Sequence, residues 1–245
     1  MNIWRGIISL ALSLATLLLY VDMAFAGPGG FIKDAARTPL GRIIMGVLVA
    51  IFLPILLYFG IKRAIWVART KRDLATLTKA YPGMYHWQEV DSRVREVYTW
   101  LWTSWSPEKI ERAEEFATIW YWRNQQLLLE EWQSHGLENV TRLSGIRSVT
   151  PIYVEHRSLE CKDGEGSILV VNITGNATDY MRETATDKVV EGDKKTAEVD
   201  AVWTFLWENG AWRVNKIEKG DVEYAYLFEP NKLPATLPDT VSVKP

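Results

Sequence analysis

The chain contains one cysteine, Cys161, so no disulfide can close within it and nothing requires an oxidising compartment. Histidine is almost as scarce. His86, His135 and His156 are scattered, and none has a partner at helical spacing, so the ligand patterns of a metal centre are missing. There is no phosphate-cradling P-loop, no dinucleotide fingerprint and no nucleophile elbow, and no cofactor is expected. Charge is missing from two stretches. Ile43 to Ile61, reading IIMGVLVAIFLPILLYFGI, holds no charged residue, and Lys62 to Arg72 holds no acid.

Nineteen uncharged residues in helical form extend about 28 Å, close to the hydrocarbon thickness of a bilayer. Residues 43–61 are therefore expected to form a transmembrane helix, kinked where Pro54 lacks an amide donor. Lys62, Arg63, Arg69, Lys71 and Arg72 follow as a basic juxtamembrane collar within residues 62–80, the flank expected to stay cytoplasmic and to attract anionic lipid. From Asp73 onward, 19 Lys and Arg stand against 28 Asp and Glu, a net of −9 that argues against a nucleic-acid ligand. Upstream, an apolar run from Ile7 to Tyr20 precedes the small-x-small pair Ala24 and Ala26, then GPGG at Gly27 to Gly30. Residues 1–26 are either a signal peptide or an uncleaved first spanning helix, and 27–42 a short non-cytoplasmic segment. Both versions leave the C-terminal part cytoplasmic.

The remainder is long enough for one well-buried domain, placed at 81–227 after the turn at Tyr81-Pro82-Gly83. Val90, Val94, Val97 and Leu101 recur at spacings that put one face of a first helix in a core. Ser106, Pro107 and Glu108 signal the start of a second helical stretch, with room for one break. Its stripe is Ile110, Ala113, Ala117, Trp120, Asn124 and Leu127 or Leu128, and Gly136 ends it. Beyond Gly136 the β-rich segments Pro151–Glu160, Ser167–Ala177, Val199–Glu208 and Ala211–Glu218 read as antiparallel strands, with a tight hairpin at Asn209-Gly210. Trp203, Phe205 and Trp207 alternate onto one strand face and should meet the helices. Helices followed by a twisted antiparallel sheet make an α+β domain. A proline-rich tail, 228–245, should lie extended.

The runs GLENVTRL at Gly136 to Leu143, Asp179-Tyr180, TDKVVEG at Thr186 to Gly192 and VWTFLWENGAWRVNKI at Val202 to Ile217 resemble the Tim-forty-four-like family. Its type member is the C-terminal domain of a mitochondrial inner-membrane translocase tether. The resemblance covers about Val90 to Ile217 and implies a nuclear-transport-factor-two-like cone of helices on a curved antiparallel sheet. It also implies docking to other proteins and an apolar cavity in the cone able to take an apolar ligand or lipid. A bilayer span replaces the mitochondrial N-terminus, and the start is neither Arg-rich nor amphipathic, which suits a bacterial inner-membrane relative.

On that fold, enzymes move protons with a cavity carboxylate or histidine, and the candidates here are Asp179, Asp200 and His156. Asp179 reads as a turn residue, Asp200 as a residue of the polar face opposite Trp203, and His156 as one lying among charges, so no catalytic residue is expected. Twelve tryptophans exceed the needs of one core. Residues two apart on a helix point to different faces, so one of Trp100 and Trp102, and one of Trp120 and Trp122, should be exposed or at an interface. Trp120, Trp203, Phe205, Trp207 and Trp212 are assigned to core or cavity, and Trp100, Trp102, Trp105 and Trp122 to partner docking. The functional expectation is a non-catalytic scaffold or assembly subunit of an integral membrane protein complex. An apolar-ligand or lipid carrier is the alternative, and a small-molecule isomerase or dehydratase a more distant one.

Overall fold

The computed structural model of the chain describes residues 38–104, 113–159, 162–226 and 228–234. The readings made on residues 1–37, on Trp105, on the helix start at Ser106 to Glu108, on Ile110, on Cys161 and on the tail from residue 235 lie outside these. By its contacts the chain divides into two units, Met1–Ile65 and Trp66–Pro245. In order, the helices α1 (Pro39–Ala80), α2 (Pro82–Tyr85), α3 (Trp87–Ser104), α4 (Ala113–Phe116) and α5 (Ile119–Ser134) come first. The strands β1 (Leu137–Glu155), β2 (Ser158–Leu159), β3 (Lys162–Asp163), β4 (Ile168–Glu183), β5 (Val189–Glu208) and β6 (Ala211–Lys219) follow, then a 3-10 turn at Gly220–Val222 and α6 (Glu223–Tyr226). The protein is α+β, as its sequence implies.

Helix α1 begins with Pro39 in its first turn, where a missing amide costs nothing, and the Thr38 hydroxyl accepts the Gly41 N–H at 3.0 Å. It continues through Pro54 without interruption to Ala80. The segment 62–80, expected as a connector, is thus helical throughout, and from Trp66 onward it belongs to the same unit as the sheet. Thr70, Leu74 and Leu77, at spacings of four and three, share a face and are buried.

Val90, Val94, Val97 and Leu101 are buried on α3 as their spacing requires, joined by Tyr98. The second helical stretch does break. Ala117 bridges to Val214 of β6, and Thr118 restarts the helix by accepting the Tyr121 N–H on its hydroxyl. That interruption shifts the helical phase. Ala113 and Ala117 are buried as expected, but on α5 the buried residues are Tyr121, Trp122 and Leu129, while Trp120, Asn124 and Leu127 are exposed.

Four strands form an antiparallel sheet in the order β1-β4-β5-β6. Asn209 (φ 52°) and Gly210 (φ 76°) both take the positive φ that a two-residue hairpin between right-twisted strands demands. Three register shifts in β1, between Leu143 and Gly145, Ile146 and Ser148, and Pro151 and Tyr153, bend the strand. Every strand of the sheet is longer than its expected counterpart, β6 only by Lys219. GLENVTRL is strand from Leu137, directly after the Gly136 that ends the helix, and Asp179 stands within β4 opposite Thr141 and Asp193 rather than in a turn.

Each face of the sheet carries a buried cluster. Trp203, Phe205, Leu169, Val171 and Ile173 pack with α3 and with Leu74 and Leu77 in the main core. Val202, Val170, Ile152 and Tyr153 form a smaller cluster under Val67 of α1 and Tyr226 of α6. The expectation of one helix-covered face missed this second layer, because Val67 lies far from the sheet in sequence.

Candidate functional site

The apolar part of α1 carries no buried residue, and its side chains from Leu40 to Ile65 are largely exposed. A stretch this long and free of charged residues, none of it buried, has the length and composition to cross a bilayer. Below it, Lys62 lies over the Tyr58 ring at 5.7 Å. Arg69 lies over the Trp66 ring at 5.7 Å and stands 3.9 Å from Asp73. Lys71 and Arg72 are exposed. At 3.6 residues per turn these cations spread around the helix, so they form a collar and not a stripe.

The last turns of α1 are fastened to the outer edge of β1. Ile152 is the extra residue of a bulge, and its carbonyl accepts the Trp66 Nε1–H at 2.6 Å and the Thr70 hydroxyl at 3.4 Å. Asn231 completes the joint from the far end of the unit. Its Nδ2 donates to Thr70 Oγ1 (3.2 Å) and Asp73 Oδ2 (2.8 Å), and its Oδ1 accepts the Val154 N–H (3.0 Å). Lys232 extends the pairing, its N–H donating to Val154 O and its carbonyl accepting the His156 N–H.

Glu155 sits beside this joint. Burial raises its carboxyl, but hydrogen bonds from Lys232, Tyr153 and Arg157 outweigh that and hold it at about 2, against an ordinary 4.5. Because the folded value is the lower one, Glu155 contributes stability above about pH 4.5 and loses it as the pH falls toward 2. Thermal melts of the detergent-solubilised chain at about pH 6 and about pH 3 should show a smaller acid loss for Glu155→Gln than for the native protein. Equal losses in the two would exclude Glu155 as a source of acid sensitivity.

The tryptophans fall differently from their sequence assignment. Trp203 and Trp212 are buried, as is Phe205, and Trp207 is half-buried against Trp212 at 5.3 Å. Trp212 donates its Nε1–H to Met84 O. Trp120, assigned to the core, is 64% exposed, while Trp122, assigned to docking, is buried; the phase shift at Thr118 exchanges them. Neither Trp100 nor Trp102 is exposed. They do point to different faces of α3, but both faces have neighbours. Trp100 stacks on Phe116 at 4.7 Å with Trp122 at its edge, and Trp102 lies 6.0 Å from Tyr98.

The three proton-transfer candidates are held apart on separate networks. His156 is buried: its Nδ1 is 2.9 Å from Tyr85 Oη and its ring stacks on Tyr81 at 4.3 Å. Asp200 accepts from Asn172 Nδ2 and Thr174 Oγ1 on the face opposite Trp203. Partial burial pushes the Asp179 carboxyl up, Asn139 offsets this and Glu191 adds to it. Among the described residues no group of three His, Cys, Asp or Glu side chains gathers in one place.

Where α3 crosses the sheet, three polar atoms are buried with no hydrogen-bond partner of adequate geometry: Tyr98 Oη, Trp102 Nε1 and Trp203 Nε1. Burial pushes the Tyr98 phenol up, a shift the Trp102 indole partly offsets. Gly175 makes room for that phenol, since a Cβ there would stand 2.8 Å from Tyr98 Oη and 2.9 Å from Gly145 O. Nothing in the local sequence marks this trio, because it forms only when α3 is laid on the sheet.

No family model matches the chain, and neither does any curated protein. Among solved structures it is similar to the intermembrane space region of the chloroplast protein ARC6, at 10% identity and a TM-score of 0.39, over 54% of this chain and 94% of that one.

Proposed function

We propose that this chain is a membrane-anchored, non-catalytic docking protein, a scaffold or assembly subunit of an integral membrane protein complex, with its α+β unit on the cytoplasmic face of a bacterial inner membrane. The observation that carries this reading is α1, whose charge-free half is exposed along its length and whose last turns are fastened to the sheet by Trp66 and Thr70. The collar favours the cytoplasmic orientation, because moving five cations across a membrane is disfavoured. Its charge is also suited to anionic lipid. The resemblance to the Tim-forty-four-like family adds weight to a docking role. A second reading, a cone domain holding an apolar ligand with a hydrogen-bond acceptor, draws on the unpartnered donors of Tyr98, Trp102 and Trp203, which an acceptor between them would satisfy.

A reporter fused after Pro245 should behave as cytoplasmic, and efficient alkaline phosphatase activity from that fusion would overturn the orientation. In the same strain, Asp179→Asn should leave growth and complex assembly unchanged while circular dichroism confirms folding. Loss of function from that exchange in a folded protein would point to an enzyme.

A further inference from the structure

Helix α5 turns an apolar face outward that nothing among the described residues covers. Trp120 and Leu127 are each 64% exposed and Ile119 58% exposed. Trp120, Asn124, Leu127 and Glu131 fall within one outward stripe, with Arg123 and Glu130 along one side of it. The ion pairs among the described residues involve neither Arg123 nor Glu131.

We propose that this face is the contact with a second copy of the same chain, α5 packing antiparallel on α5 about a two-fold axis at Leu127. The face is complementary to itself in charge. Turning one helix over places Leu127 on Leu127 of the second copy, Arg123 beside its Glu130, and Asn124 beside its Glu131, each pair occurring twice by symmetry. Trp120 then covers the end of the other helix near Ser134. Two-fold contacts between like surfaces are the commonest form of self-association, and this one needs no further chemistry. One helix pair buries less than the roughly 1,200 Å² of a standard interface, so the association is weak in dilute solution and gains from confinement to a membrane. In that respect alone it rests on the anchored reading above.

The test uses the full chain with Cys161→Ser, reconstituted in vesicles of zwitterionic lipid, and a cysteine placed at Leu127. Mild oxidation should join Leu127→Cys copies at least tenfold faster than Lys195→Cys copies, because only the former lie on the two-fold axis. Adding Arg123→Glu should slow the joining about tenfold by setting like charges together twice, and adding Glu130→Arg to that variant should restore it. Equal rates for the two cysteine positions, or no recovery in the double reversal, would refute the contact. Sedimentation of the same variants with membranes is independent of α5. Retained membrane association without cross-linking rejects only this pairing, whereas loss of membrane association rejects the anchor.

Discussion

Replacing Trp203 with alanine should destabilise the sheet unit by about 3–5 kcal/mol. The indole is 2% exposed, lies opposite Val171 on one neighbouring strand and Ile217 on the other, and packs 5.0 Å from the Tyr98 ring and 6.3 Å from Phe205. Truncation removes the transfer energy of a whole aromatic ring and leaves a cavity between two strands and α3. For a unit of this size the loss lowers the melting temperature by roughly 10 °C or more. Trp203→Phe should behave quite differently. It keeps much of the ring and removes an indole N–H that has no partner, so the desolvation cost of that donor disappears and the net change should stay below about 1.5 kcal/mol. Comparable losses for both variants in calorimetry would mean that the Trp203 N–H is bonded after all.

Asn231→Ala should cost about 2–3 kcal/mol, a large effect for a half-buried residue in a loop. The alanine strands the Val154 N–H at the edge of the sheet and releases Thr70 and Asp73, residues 161 and 158 positions away in sequence. Asn231→Asp retains an acceptor for Val154 but loses both donors and sets a second carboxylate against Asp73, so it should be no milder. Denaturant titration of the solubilised chain, followed by limited proteolysis near Ala80, measures both variants. If Asn231→Asp proved as stable as the native protein, the bonds to Thr70 and Asp73 would not be what holds the joint.

Local patterns in the sequence predicted those elements whose causes are local. The valine spacing of α3, the Asn209-Gly210 turn and the aromatic alternation of β5 each depend on neighbours within a few residues, and each has the expected form. Where two solvated faces replace one buried face, the alternation that marks a strand vanishes. Residues 189–198 of β5 are nearly all exposed, and no alternation marks them for that reason. The exchange of Trp120 and Trp122 has another cause: a bridge to β6 stops the helix at Ala117, and a stripe drawn through the break is out of phase beyond it. The joint at Asn231 was invisible, since nothing near Thr70 or Asn231 in sequence announces a partner so far away.

That joint also bears on how the protein is made. The outer edge of β1 at Val154 to His156 is closed by Asn231 and Lys232, which leave the ribosome long after α1 and the strand they cover. Until then a strand edge with unpaired amides stays open on the nascent chain, the situation in which edge-to-edge pairing is most dangerous. A message truncated before codon 231 would therefore yield a product with an open edge, and with α1 held by Trp66, Thr70 and its buried leucines but without the bonds from Asn231.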